Sequence, residues 1–328
     1  MPDIKIIIAA GSPVLRMRLA KAITGHGGIE VIAETADLPA TYTRTEALEP
    51  QVILIARELT ELAEFGQMKA LFRALNTRWI ALDSRGAPTP ELPGDPAPLD
   101  INLPIADLCR QIAATALVEP AATPVAPLRL TARSGKLILI GASTGGVDAL
   151  LAVLSAMPDD CPPIAVVQHT GRGFSESLIR LLARRCTVRV EPARDGMDLL
   201  PGSVAVAAGC PGHIRLRPGR PPRLTLTAGE AISGHMPSVD ALFHSAVPLA
   251  PHIVATLLTG MGRDGAEGLL ALRRAGAVTL GQNESSSVVY GMPRAAFELG
   301  AVQRQIALPD MAAAILQACA AEKGRVSP

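Results

Sequence analysis

The chain reads as an α/β protein of two doubly wound domains, each a parallel sheet with helices on its faces. Three observations predict this. Short apolar runs alternate with helical stretches over the first hundred residues, the alternation resumes at Lys136, and proline-rich stretches separate the two series. A length of 328 residues allows each domain its own core. The expected division is residues 1–118, a linker over 119–135, and residues 136–328.

In the first series the strands are IKIIIAA, IEVIAE, QVILIA and WIALD, and the helices are VLRMRLAKAI, an amphipathic segment near 40–48, and MKALFRAL. Residues 84–100, SRGAPTPELPGDPAPLD, carry a proline every two or three positions. Proline lacks an amide donor and disfavours helix at the residue before it, so no helix is expected there. A helix over 104–117 follows, and then EPAATPVAPLRL, which has the composition of an interdomain linker. In the second series LILI, IAVVQ, TVRV, VAVAA, IVATLLT and AVTLGQ are strands, and IRLRPGRPPRLTLT is an added hairpin. No repeat of solenoid length is present.

Composition removes several function classes. No apolar run approaches the ~18 residues of a membrane span. The run Ile6–Ala10 is short, follows Asp3 and soon meets Arg16 and Arg18, the pattern of a first strand rather than of a secretion signal. A net charge of +1, with one tryptophan, two tyrosines and five phenylalanines, lacks the basic footprint and stacking rings of a nucleic-acid binder. Cys109, Cys161, Cys186, Cys210 and Cys319 are odd in number and form no CxxC pair. That pattern indicates reduced thiols and a cytoplasmic protein.

Chemistry concentrates at strand ends. LILIGASTGG spells G-x-S-x-G, which exposes a serine, Ser143, on a strand-to-helix turn. Alone the pattern equally fits an ordinary tight turn, and no G-K-[ST] ending marks a phosphate loop. A serine nucleophile needs a base, and His169 directly follows the strand IAVVQ. His26 and His213 sit beside glycines in turn-like contexts, His213 with a local hydrogen-bonding role, and His235, His244 and His252 suit solvent or capping roles. Asp264 follows the strand IVATLLT and two glycines, where it either orients an imidazole or caps the next helix. Asp195, Asp198 and Asp240 read as turn or cap residues. Ser143, His169 and Asp264 thus fall just beyond three separate strands, whose carboxyl ends share one crevice in an open α/β sheet.

At these residues the chain resembles the CheB family of chemotaxis receptor methylesterases. The resemblance spans residues 136 to about 318 and rests on LIGASTGG, VVQH with Gly173-Phe174, MPSVDALF and LTGMGRDGAEGLLALRRAGAVTLGQNESSSVVYGMPRAA. It implies a Rossmann-like parallel sheet with a Ser143–His169–Asp264 triad. It also implies a substrate- or oxyanion-positioning role around Thr144, Gly145 and Met261. The implied activity is hydrolysis of glutamate methyl esters on the cytoplasmic helices of methyl-accepting chemoreceptors, with glutamine deamidation in some members. No metal or organic cofactor is implied. Thr170 and Gly171 replace a methionine and proline often seen after the histidine, and Met236 replaces an arginine often seen before PSVD. Two other readings remain open: a receptor-docking adaptor without catalysis, and an esterase for unrelated small methyl esters.

Residues 3–118 resemble the response-regulator receiver, a flavodoxin-like sheet, that usually precedes this catalytic domain. The likeness puts Ala10 and Gly11 where an acidic pair holds magnesium, Ala56 where an aspartate accepts phosphate, and Leu103 near the usual lysine. Alanine and glycine side chains offer no oxygen ligand and no site for an acyl phosphate. The first domain is therefore expected to be a pseudo-receiver, constitutively permissive or controlled by a protein partner.

Overall fold

The computed structural model describes residues 4–62, 64–75, 77–83, 98–116, 135–170 and 172–320. It divides into two compact units, Met1–Thr123 and Pro124–Pro328. The linker expected over 119–135, Gly135 excepted, and most of the proline-rich stretch, residues 84–97, lie outside the described residues.

The first unit runs β1 (Ile4–Ala9), α1 (Pro13–Thr24), β2 (Ile29–Thr35), α2 (Leu38–Leu48), β3 (Val52–Ala56), α3 (Arg57–Thr60), α4 (Phe65–Leu75), β4 (Arg78–Asp83), β5 (Leu99–Asp100) and α5 (Ile105–Ala116). Its sheet has the order β2-β1-β3-β4-β5, every pairing parallel, as in flavodoxin-like folds. Ile6, Ile7 and Ile8 are all fully buried because helices cover both sheet faces. Ser12 caps α1 by accepting from Leu15 N at 3.3 Å, with Pro13 in the first turn, and Asp37 caps α2 through Ala40 N at 2.8 Å. Two elements were not expected: α3 is a single turn, and β5 pairs only Leu99 and Asp100 with Leu82 and Asp83. Both are too short for a periodic pattern to register.

Among the described residues at the carboxyl edge of this first sheet, no group of three or more His, Cys, Asp and Glu side chains is placed to hold a metal ion. Ala10 is buried just past β1, Gly11 is exposed, and Ala56 closes β3 in the core. Beside Ala56 lies a cavity of about 120 Å³, walled by Arg57, Glu61, Leu82 and Asp83. Arg57 spans it, with Nη1 3.2 Å from Asp83 Oδ2 and Nε 3.2 Å from Glu61 Oε1. A fixed ion pair therefore ties the ends of β3 and β4.

The second unit runs β6 (Leu137–Ala142), α6 (Gly146–Leu154), β7 (Ile164–Gln168), α7 (Arg172–Arg185), β8 (Arg189–Pro192), β9 (Ser203–Ala208), β10 (His213–Arg217), β11 (Arg223–Thr227) and α8 (Val239–Ser245). It continues through β12 (Ile253–Leu257), α9 (Ala266–Arg274), β13 (Val278–Gln282), α10 (Met292–Glu298), β14 (Arg304–Ile306) and α11 (Leu308–Ala320). The seven-stranded sheet has the order β14-β13-β12-β6-β7-β9-β8, with parallel pairing throughout. The hairpin β10–β11 forms a separate antiparallel pair. The chain leaves β6 toward β7 but leaves β12 toward β13, so the crevice where ligands bind opens between the adjacent strands β6 and β12. β14 escaped the sequence reading because its three residues, Arg304, Gln305 and Ile306, form a polar edge strand. The thiols are free, and burial pushes those of Cys161, Cys186 and Cys319 up to about 12. Among the described residues no helix is long and apolar enough to cross a membrane.

Gly141 decides how closely the strand bearing the serine packs on α8. A Cβ there would lie 2.4 Å from Val239 Cγ1 and 2.9 Å from Leu257 Cδ1. Gly141→Ala should destabilise the protein by about 1–3 kcal/mol through overpacking. Thermal unfolding checks this; an unchanged Tm would mean that α8 yields freely.

Candidate active site

The crevice is built where β6, β7 and β12 end. Ala142 and Gln168 are register partners, so Ser143 and His169 are the next residues on adjacent strands. His169 N donates to Ala142 O at 3.0 Å, and Ser143 N donates to Thr259 O at 3.0 Å. These bonds carry the sheet ladder past the strands and hold both turns as rigidly as the sheet itself. Gln168 joins them from below: its Nε2 donates to Ser143 O at 2.8 Å and to His169 O at 2.9 Å. Gly146 is required here, because a Cβ on it would lie 2.1 Å from Gln168 Oε1.

Asp264 arrives from the loop after β12. Its Oδ2 lies 2.8 Å from His169 Nε2 and accepts from Val239 N at 2.8 Å. Its Oδ1 accepts from Ser238 Oγ at 2.8 Å and from Asp240 N at 3.1 Å. The alternative that Asp264 caps the following helix does not hold: Gly265 is the N-cap of α9, with no side-chain cap bond. The donors at the start of α8 draw the carboxylate across the crevice instead. Burial alone would raise its pKa, but the bonds from His169, Asp240 N, Val239 N and Ser238 outweigh that and bring it to about 2. A carboxylate only accepts, so Nε2 carries the ring proton and Nδ1 is left with a lone pair.

That Nδ1 is buried and has no hydrogen-bond partner among the described residues. No hydrogen bond links it to Ser143 Oγ, so the close approach of hydroxyl and ring is absent, while the carboxylate contact is complete. Ser143 and His169 are 7% and 8% exposed and Asp264 is 0% exposed, so hydroxyl and ring reach the solvent edge while the carboxylate stays dry. Beside Ser143, Gly145 has φ +78° and begins α6, whose amide end faces this turn. Thr144 O accepts from Thr259 Oγ1 at 2.9 Å, whereas the N–H groups of Thr144, Gly145 and Met261 have no backbone acceptor among the described residues. Met261 is exposed, and a Cβ on its neighbour Gly260 would lie 2.6 Å from Ser143 Cβ.

Two histidines differ from their sequence reading. His213 heads β10 rather than lying in a turn, but its role is the expected hydrogen bonding: Nε2 meets Glu230 O at 2.8 Å and Nδ1 accepts from Ser238 N at 3.1 Å. His235 does not serve solvent or a cap: its ring stacks on His169 with centroids 3.8 Å apart and an interplanar angle of 5°. Gln168, Thr259 and Ser238 were also missed. Among the described residues no group of three or more His, Cys, Asp and Glu side chains is placed to hold a metal ion.

Fold and site together define a doubly wound α/β hydrolytic domain that brings a serine, an imidazole and a carboxylate to one sheet edge. The family model described as CheB methylesterase matches residues 138–315. The chain belongs to the CheB methylesterase family. It is 38% identical to a protein-glutamate methylesterase/protein-glutamine glutaminase of Caulobacter vibrioides, over 98% of this chain and 100% of that one. Identity to a counterpart from Agrobacterium fabrum is 35%, over 97% of each. The crystal structure of the Thermotoga maritima CheB methylesterase catalytic domain matches with 30% identity and a TM-score of 0.54, covering 56% of this chain and 99% of that one.

The low pKa of Asp264 links stability to pH. Its folded-state value, about 2, lies below the ordinary 3.8, so the folded protein releases this proton more readily than the unfolded chain. The resulting stability, about 2 kcal/mol, is complete above pH ~4 and is lost as pH falls through 2. The gap in unfolding free energy between wild type and Asp264→Asn should therefore shrink from pH 4 to 2. A gap that stays constant across that range, measured by denaturant titration, would contradict this account.

Proposed function

We propose that the chain hydrolyses γ-methyl esters of glutamate side chains on the cytoplasmic helices of chemoreceptors, through an acyl-enzyme formed on Ser143. The observation that carries the reading is the unpartnered lone pair of His169 Nδ1, fixed by the Asp264 bond at Nε2 and next to Ser143 in the sheet register. His169 takes the Ser143 proton at Nδ1 as the hydroxyl oxygen attacks the ester carbonyl. Asp264, already ionised, stabilises the imidazolium without taking its proton. The N–H groups of Thr144 and Met261 are the donors assigned to the oxyanion, each worth about 3–4 kcal/mol in such sites. Gly145 gives this turn its left-handed backbone.

His169 then gives its proton to the leaving methoxide, and methanol departs. Water attacks the acyl-enzyme by the same route and frees the glutamate and the serine. An amide in place of the ester would release ammonia, in keeping with the second activity in the relatives' names. The reduced thiols fit a cytoplasmic location.

The boundaries we assign are residues 1–118 for a pseudo-receiver and 136–328 for the catalytic domain, with the linker between. Ala10, Gly11 and Ala56 supply neither metal ligand nor phosphate acceptor, and the Arg57–Asp83 pair occupies the same edge. Constitutive activity or control by a protein partner is the regulation this leaves.

Ser143→Ala should lower ester hydrolysis on methylated receptor fragments by on the order of 10⁶ with the fold intact. Activity near wild type would exclude the assignment, and faster turnover of small methyl esters than of receptor fragments would favour an unrelated substrate. Incubation with acetyl phosphate and magnesium should leave the esterase rate unchanged. Stimulation would reveal a phosphate acceptor that this reading denies.

A further inference from the structure

We propose that Thr259 is a positioning residue for the reaction: its buried hydroxyl ties the serine turn to the segment 289–292 and so sets the spacing of the Thr144 and Met261 N–H groups about Ser143. The inference rests on the reading of Ser143 as the nucleophile and of those two N–H groups as the oxyanion donors.

Thr259 lies two residues past β12 and is 1% exposed. Each of its polar atoms is committed. Its N donates to Gln282 Oε1 at 2.8 Å, and its O accepts from Ser143 N at 3.0 Å. Its Oγ1 accepts from Val289 N at 2.9 Å and gives its one proton to Thr144 O at 2.9 Å, with Val289 O farther off at 3.2 Å. One residue therefore holds the serine turn on both sides of the Ser143–Thr144 peptide. The same hydroxyl holds the segment that begins at Val289.

The peptide planes give these bonds a direction. Ser143 O accepts from Gly146 N at 2.8 Å and from Gln168 Nε2 at 2.8 Å, so the trans peptide turns Thr144 N–H to the opposite side. Gly260 O accepts from Met292 N at 2.8 Å and from Gly291 N at 3.1 Å, which turns Met261 N–H away from that segment in the same manner. Gly260 N donates to Val289 O at 3.0 Å. The two N–H groups thus ride on separate pieces of backbone, and the Thr259 hydroxyl is bonded to both pieces.

Apolar contacts limit the same gap from the other direction. A Cβ on Gly145 would lie 2.6 Å from Val288 Cβ and 3.2 Å from Thr259 Cγ2, so the serine turn already rests against both. The hydroxyl keeps the pieces from parting and the contacts keep them from closing. Donors fixed in advance serve a developing oxyanion without rearrangement, and small misplacements of such groups cost large factors in rate. Among the described residues Thr259 makes no hydrogen bond to His169 or Asp264, whose own bonds run to the β6 end and the start of α8. Its effect is therefore separable from that of the base.

The test is the rate at which a serine-directed fluorophosphonate labels Ser143 in the full-length protein, with saturation of the probe separating binding from reaction. Thr259→Val keeps the volume but removes the hydroxyl. It should slow the saturated labelling rate by roughly 10- to 100-fold and change the half-saturating concentration by less than about twofold. Thr259→Ser restores the hydroxyl and should bring labelling to within about threefold of wild type. The far-downfield NMR signal of the His169 Nε2 proton should keep its wild-type position in both variants. If the valine variant unfolds, Thr259→Ala takes its place with the same expected loss. A hydroxyl-free variant labelled at the wild-type rate, or a serine variant as slow as the hydroxyl-free one, would overturn the proposal. So would a loss confined to the half-saturating concentration, or a slow variant whose His169 proton signal has moved. Ser143→Ala runs in parallel: labelling that persists there counts against the triad reading itself, not against Thr259.

Discussion

One buried carboxylate organises the catalytic unit. Asp264 accepts from Ser238, Val239, Asp240 and His169, so four separate donors meet on two oxygens with no access to water. An isolated charge in such a place would be severely penalised, and it is tolerated only because each lone pair has a partner. The same bonds join the loop after β12 to the start of α8 and to the end of β7. The ionised state of Asp264 is therefore the state that packing requires. Asp240 is the counterpart: burial raises its pKa first, and the neighbouring Asp264 charge opposes its ionisation too. Two adjacent carboxyls in one pocket are thereby driven apart in character.

Support for this centre extends outward in layers of hydrogen bonds. His213 at the start of β10 accepts from Ser238 N, which ties the added hairpin to the cap of α8. Gln168 ties the serine turn to the histidine turn, and Gln282 Oε1 accepts from Thr259 N at 2.8 Å on the other side. Placing these polar side chains at carboxyl ends of parallel strands satisfies backbone groups that the ladder leaves open. The first unit is also a parallel α/β sheet, and its carboxyl edge carries Ala10, Ala56 and an arginine held by two carboxylates. A sheet edge of this kind is a scaffold, and its side chains decide whether anything happens there.

Much of this was legible in the residues. Runs such as LILI and IAVVQ are buried on both faces, leaving an unbroken apolar signature that marks parallel strands before any pairing is known. Ser143, His169 and Asp264 could be picked out because each directly follows such a run or lies shortly beyond it. His235 had no such marker: it lies in a turn between a hairpin and a short helix, and its stack depends on contacts across 66 positions of chain, from His169 to His235. Gln168 and Thr259 likewise look like ordinary strand-end polar residues, since what they bond to is set by register. β5 and β14 stayed hidden for a simpler reason. Two or three residues carry no period, and a partner strand alone defines them.

Ser143, His169 and Asp264 come from three strand ends, and Asp264 lies 95 positions beyond His169. On a ribosome, the serine and histidine emerge well before the acid that completes them, and before α8 has anything to cap. A nascent or clipped chain lacking the loop after β12 thus holds the His169 ring without its carboxylate anchor. The anchoring of that ring is therefore among the last events of the unit's assembly, because it waits for chain made after β12.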